Sequence, residues 1–125
     1  HELVVPNKDI VNARINNYAN LTKRRYKTTL GVTYETRQSQ LRAIPDILEE
    51  TVNELDNTEF AWAVFMSYGD FALEFELVYY VFTDDYKSYI ETIEKINYAI
   101  FDKFVNQKIE FAYPTQKIYN ISTSS

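Results

Sequence analysis

The amino-acid sequence predicts an α+β domain in the order strand, helix, strand, strand, helix, strand, and three observations predict it. The first is the stretch 60–82, two runs of aromatic and β-branched residues broken at Ser67-Tyr68-Gly69-Asp70. In its second run Leu73, Phe75, Leu77, Tyr79 and Val81 share one face while Glu74 and Glu76 lie on the other. That is the period of two of a half-buried strand, because successive side chains point to opposite faces. The second and third are apolar stripes at three- and four-residue spacing before and after this hairpin, the mark of amphipathic helices.

Taken in order, Leu3-Val4-Val5 is a strand-like run stopped by the turn pair Pro6-Asn7. It has no obvious neighbour in this chain, so it reads either as a disordered arm or as the last strand of a preceding domain. Residues 23–34 alternate Arg24, Tyr26, Thr28, Leu30, Val32 and Tyr34 with more polar positions, a strand with one apolar face and a basic start. Thr36 or Ser39 is the expected cap of the first helix, whose stripe is Leu41, Ile44, Leu48, Val52 and Leu55. Pro45 inside it predicts a kink or a loosened first turn, since proline donates no backbone hydrogen bond. In the hairpin, Gly69 is expected to supply a positive φ, with Asp70 as its turn partner. Strict alternation in the first arm puts Phe60, Trp62, Val64 and Met66 on one face and Phe65 opposite.

Asp84 or Asp85 caps the second helix, with the stripe Tyr86, Ile90, Ile93, Asn97, Ile100 and Phe104, widened by Tyr89 and Ile96, and a stop at Asn106. The last strand starts at Ile109 and Phe111, bends at Tyr113-Pro114 and continues through Ile118-Tyr119-Asn120-Ile121, with a frayed tail over 123–125. Right-handed crossovers of two βαβ halves give a ferredoxin-like βαββαβ two-layer sandwich, a four-stranded antiparallel sheet with both helices on one face. The other face is left to solvent or a partner.

Composition excludes much chemistry. The 125 residues hold no cysteine and a single histidine, His1, which leaves no thiolate or histidine-based metal site or general base. Two isolated glycines make no phosphate loop. The acidic pairs Glu49-Glu50 and Asp84-Asp85, and the alternating Glu74 and Glu76, read as solvated faces or caps. No catalysis, cofactor or metal is therefore expected. No apolar run approaches the roughly 18 residues of a bilayer crossing, and no signal peptide is evident. A net charge of −5 argues against nucleic acid and anionic membrane surfaces. The strand order is also that of RNA-recognition modules, and residues 68–75 look somewhat like their aromatic third-strand motif. No Lys or Arg precedes Gly69, however, Asp70 stands where an aromatic would follow it, and Glu74 and Glu76 would repel phosphates.

Val4-Val5-Pro6-Asn7-Lys8-Asp9-Ile10, Asn17-Tyr18-Ala19, Arg24-Arg25, Leu30-Gly31-Val32-Thr33-Tyr34-Glu35-Thr36 and Leu41-Arg42-Ala43-Ile44-Pro45-Asp46-Ile47-Leu48 resemble, in that order and spacing, the cytoplasmic part of small-conductance mechanosensitive (MscS-like) channels. The resemblance extends to Gly69 and closes at Ile109-Glu110-Phe111-Ala112-Tyr113-Pro114-Thr115-Gln116. It departs at Lys108, where the family usually has glycine. It implies that residues 1–20 are the tail of a middle β domain and 21–122 an α/β domain walling a cytoplasmic vestibule with side portals. The intact protein would be a homo-heptameric inner-membrane channel opened by tension to release ions and small osmolytes. This portion would be its scaffold and solute sieve, touching membrane only through parts not in this sequence. Candidate portal residues at the junction of the two domains are Arg14, Asn16, Asn17, Lys23 and Arg24, which read alternatively as ordinary solvated side chains. A second class of reading is a free-standing ligand-binding or regulatory module of the same topology.

Overall fold

A computed structural model describes residue 18 and residues 20–112. Five elements follow one another: β1 (Lys23–Val32), α1 (Gln38–Asn53), β2 (Thr58–Tyr68), β3 (Leu73–Phe82) and α2 (Tyr86–Asn106). The strands form one antiparallel sheet in the order β1-β3-β2. α1 lies over β2 and against α2, and α2 also meets β3. Both helices share one core with the same side of the sheet, so the fold is the expected two-layer, ferredoxin-like α+β sandwich. The first residues of the predicted closing strand run along the outer edge of β1. Phe111 bridges Val32 in the antiparallel sense, Thr33 N–H donates to the Glu110 carbonyl (3.1 Å), and Ala112 N–H donates to the Gly31 carbonyl (3.0 Å). The rest of that strand, like the predicted strand at residues 3–5, lies outside the described residues.

β3 sits between two partners, and its residues Leu73, Phe75, Leu77, Tyr79 and Val81 are all buried under the helices. Each such burial stabilises by roughly 1.5–3 kcal/mol. β1 adds Tyr26, Leu30 and Val32, and α1 adds Ile44, Ile47, Leu48 and Val52. In β2 the expected alternation fails. Register shifts between Phe60 and Trp62 and between Phe65 and Ser67 mark bulges, in which one extra residue reverses the facing of everything beyond it. Phe60 and Ala63 therefore face the helices, while Trp62 and Val64 face away. Phe65 stacks on inward-facing Phe75 with ring centroids 5.0 Å apart.

The facing of α2 also departs from expectation. Its buried residues are Thr92, Ile96, Ile100 and Phe104, whereas Tyr86, Ile90 and Asn97 are exposed. The helix carries apolar residues around more than half its circumference, and packing on the sheet decides which of them is covered.

Element ends are built locally. Asp85 caps α2, its carboxylate accepting Ser88 N–H at 3.2 Å and the Ser88 hydroxyl at 2.9 Å. α1 begins after Arg37 rather than at Thr36 or Ser39. Thr36 instead donates its hydroxyl to the Thr33 carbonyl at 2.7 Å. The Arg37 N–H is satisfied by Gln40 Oε1 at 3.0 Å. The amide of the same Gln40 donates to the carbonyls of Gln107 and Lys108, both at 3.1 Å, so one side chain serves the start of α1 and the end of α2. α1 continues through Pro45 without interruption.

No described glycine has positive φ, so the need for glycine in the hairpin is one of space. A Cβ on Gly69 would lie 3.0 Å from the Ala72 carbonyl oxygen and 2.5 Å from the Glu74 carboxylate. Tyr34 donates its hydroxyl to the Gly69 carbonyl across this gap. The left-handed position is Lys108, at φ 61°. It closes α2 in a Schellman motif, with Lys108 N–H on the Val105 carbonyl (3.0 Å) and Ile109 N–H on the Phe104 carbonyl (2.9 Å). A left-handed non-glycine residue costs roughly 1–2 kcal/mol. Lys108→Gly is therefore expected to stabilise the fold by about 1 kcal/mol and raise the thermal midpoint by about 4 °C; an unchanged or lower midpoint in a melting experiment contradicts this.

Tyr79 is fully buried, and its hydroxyl has no hydrogen-bond partner among the described residues. Burial, reinforced by the nearby phenols of Tyr26 and Tyr89, pushes its pKa upward. A buried unpaired hydroxyl costs roughly 1–3 kcal/mol. Tyr79→Phe should thus leave stability unchanged or raise it by up to about 1 kcal/mol, whereas Phe75→Ala should cost about 3–5 kcal/mol. Denaturant titration of the two variants separates these outcomes.

Candidate functional site

The sheet face turned away from the helices is one open surface of the domain. Its composition follows from strand register. Lys23, Arg25, Lys27, Thr29 and Gly31 of β1 stand opposite Phe82, Tyr80, Val78, Glu76 and Glu74 of β3. Across β3 these meet Glu59, Trp62, Val64 and Ser67 of β2, which pair with Tyr80, Val78, Glu76 and Glu74. One outer strand is thus basic, and the acidic groups lie on the other two. Three cations face three carboxylates over a floor of Val78, Tyr80, Phe82 and Trp62.

The charges are largely neutralised within the face. Lys23 Nζ lies 3.3 Å from Glu59 Oε1, 4.4 Å from the Tyr80 ring centroid and 5.8 Å from that of Phe82. Such a cation over aromatic faces is attracted by the ring quadrupole. Lys27 Nζ is 3.5 Å from Glu76 Oε1, and the Trp62 indole N–H donates to Glu76 Oε2 at 2.9 Å. The Arg25 guanidinium lies 5.8 Å from the Trp62 ring, and Glu74 accepts the Ser67 hydroxyl at 3.0 Å. Val78 is fully buried although it belongs to this outer face, so the long side chains around it cover the strand centre. Exposed pairs of this kind contribute about 0–1 kcal/mol each, so their main effect is to set the field of the surface.

Of the predicted portal residues, Arg14, Asn16 and Asn17 lie outside the described residues. Lys23 and Arg24 are neighbours in β1 and therefore face opposite sides of the sheet. Lys23 joins the outer face. Arg24 turns to the β3–α2 connection, where its Nε donates to the Thr83 carbonyl (3.0 Å), its Nη2 donates to the Asp84 carbonyl (3.2 Å), and the guanidinium packs 5.7 Å from the Tyr89 ring. Beside it Asp84 Oδ1 accepts the Thr22 hydroxyl (2.7 Å) and the Thr22 N–H (2.8 Å). These two bonds, with Arg24 adding a smaller pull, hold the Asp84 carboxyl below the usual carboxylate range. Arg24 and Asp84 thus lace the start of β1 to the β3–α2 loop.

Sequence reading missed Glu59, Trp62, Tyr80 and Asp84 as members of these two sites. The register of β1 and β3 was available from alternation, but the bulge that turns Trp62 outward was not. On the outer face β3 presents Glu74 and Glu76, carboxylates that would repel a nucleic-acid backbone. Among the described residues no group of three or more His, Cys, Asp or Glu side chains is placed to hold a metal.

The Trp62 hydrogen bond, and secondly Lys27, lower the Glu76 pKa below its ordinary value. Its contribution to stability is present above the ordinary carboxylate pKa and is lost as pH falls through the lowered folded value. In an NMR titration Glu76 should protonate at lower pH than an unpaired surface glutamate. Trp62→Phe should move that midpoint up, and no movement would show that the indole does not hold the charge.

Comparison with known proteins agrees with this geometry. The family described as "Mechanosensitive ion channel MscS, C-terminal" matches residues 26–111. An uncharacterized MscS family protein of Aquifex aeolicus is 33% identical over 120 residues, covering 94% of this chain and 33% of the relative. The large-conductance mechanosensitive channel MscMJLR of Methanocaldococcus jannaschii is 34% identical over 122 residues, covering 94% of this chain and 34% of the relative. The small-conductance mechanosensitive channel MscMJ of the same organism is 29% identical over 118 residues, with coverage of 94% and 34%. The chain spans about a third of the length of these relatives. The match over 26–111 takes in all or part of every strand and helix described above, and on that ground the chain belongs to the MscS family of mechanosensitive ion channels, as their C-terminal region.

Proposed function

We propose that this chain walls a vestibule on the cytoplasmic side of a tension-gated channel, as a scaffold and solute sieve for ions and small osmolytes, with seven identical copies around the pore. The observation that carries the proposal is the family match across the whole two-layer domain. Relatives whose names state mechanosensitive channel activity support it. Among the described residues no helix is long and apolar enough to cross a membrane, so tension sensing and gating are assigned to parts of the protein outside this chain. The vestibule role involves no bond-making.

The outer sheet face suits a lining surface. Its three cations and three carboxylates balance, with Lys23–Glu59 and Lys27–Glu76 in contact, so it presents a weak net field and holds passing ions loosely, as conduction requires. Selection by charge is assigned to the junction with the preceding domain, to Arg14 and to Lys23, which stands at the end of the sheet face and shares its charge with Glu59, with Asn16 and Asn17 as uncharged neighbours. Arg24 acts there chiefly by positioning, through its bonds to the Thr83 and Asp84 carbonyls. The outward Glu74 and Glu76 favour this reading over an RNA-binding module.

The full-length protein reconstituted in liposome patches is expected to open under suction, and absence of tension-dependent current overturns the proposal. In the same patches Arg14→Glu and Lys23→Glu should each shift preference from anions toward cations. Unchanged selectivity in both would remove these residues from the portals.

A further inference from the structure

Two apolar surfaces remain exposed on opposite flanks of the domain, and they differ in shape and charge. One is the outer side of α2, where Ile90 (44%), Tyr98 (65%), Phe101 (56%) and Val105 (56%) are exposed in helical register. Lys103, which reaches Glu54 at the C-terminal cap of α1 at 2.5 Å, marks the side of α2 that faces the other helix. At 3.6 residues per turn Ile90, Tyr98 and Phe101 lie roughly 140–160° around the helix from it. The stripe therefore points away from α1, and Glu91 and Glu94 line it, with Lys87 at its N-terminal end. The other surface is a groove between α1 and the β2–β3 hairpin, lined by Leu41, Pro45, Phe65 and Tyr68, with Arg42 on its rim. Tyr68 is 76% exposed. Arg42 takes part in no ion pair among the described residues.

We propose that the α2 stripe of one copy seats in the α1–hairpin groove of the next, with Glu91 and Glu94 against Arg42. The inference rests on the proposed self-association around a pore and names the two faces that carry it. The two carboxylates of the stripe are complementary to the guanidinium at the groove, which steers one surface toward the other. A convex stripe and a concave groove used once each per copy make a heterologous contact, which generates a ring when the rotation from copy to copy closes. Contiguous exposed apolar surface of this kind marks an interaction site more often than idle surface.

The absence of cysteine from this chain allows a direct test in the full-length protein, with any other cysteines replaced by serine. The double variant Tyr68→Cys with Tyr98→Cys is expected to oxidise into a ladder of linked copies. A mixture of the two single variants should stop at dimers, and each single variant alone should give no link. Linking by Tyr98→Cys alone shows a two-fold stripe pair and overturns the proposal. So does a link within one chain between cysteines at Tyr98 and Ile118, which would place the chain's own C-terminal segment on the stripe. So does the absence of any link in a double variant that still passes tension-gated current, a result that leaves the channel reading standing. A ladder in a protein without tension-gated current supports the contact and sinks the channel reading.

Discussion

β3 is the constraint to which the rest of the domain answers. It is hydrogen-bonded on both edges, so its register sets the register of β1 and β2. Its inward residues form the centre of the core, and its outward residues Glu74, Glu76, Val78 and Tyr80 form the spine of the opposite face. One strand therefore decides both what the helices pack against and where the charges of the outer face fall. A one-residue slip would exchange the two sets, burying glutamates and exposing Phe75 and Leu77. Desolvating unpaired carboxylates is costly enough that such a slip is strongly disfavoured.

How much of this was legible in the sequence depended on whether one pattern excluded others. β3 was readable because Glu74 and Glu76 could face only one way. α1 was readable because its polar positions left a single apolar stripe, although its cap was not, since Thr36 found a nearer carbonyl on Thr33. α2 was recognisable as a helix but not in its facing, because Ile90, Ile93, Ile96, Ile100 and Phe101 offer more than one apolar side. In β2 the bulge next to Ala61 adds a residue that no strict period of two anticipates. Lys108 drew attention in the sequence because it stands where a glycine is usual, and the backbone there is left-handed.

The candidate site was less legible than the fold. Lys23 and Arg24 read as one basic cluster because they are adjacent, but adjacency within a strand separates side chains rather than joining them. The pairs that give the outer face its character, Lys23 with Glu59 and Lys27 with Glu76, are 36 and 49 positions apart and become neighbours only through strand order. Arg24 illustrates the difference between a charge and its availability. Its guanidinium is spent on two backbone carbonyls and the face of Tyr89, which fastens β1 to the β3–α2 connection.

The bulges in β2 have a bearing on crowding. Among the described residues β2 pairs only with β3, so it is an outer strand of the sheet, and a long regular edge is a template on which another chain can add a strand. Two interruptions within eleven residues break the spacing of its free N–H and C=O groups. An edge interrupted in this way is a poor template for strand addition, so side-chain contact at this edge does not lead on to fusion of sheets.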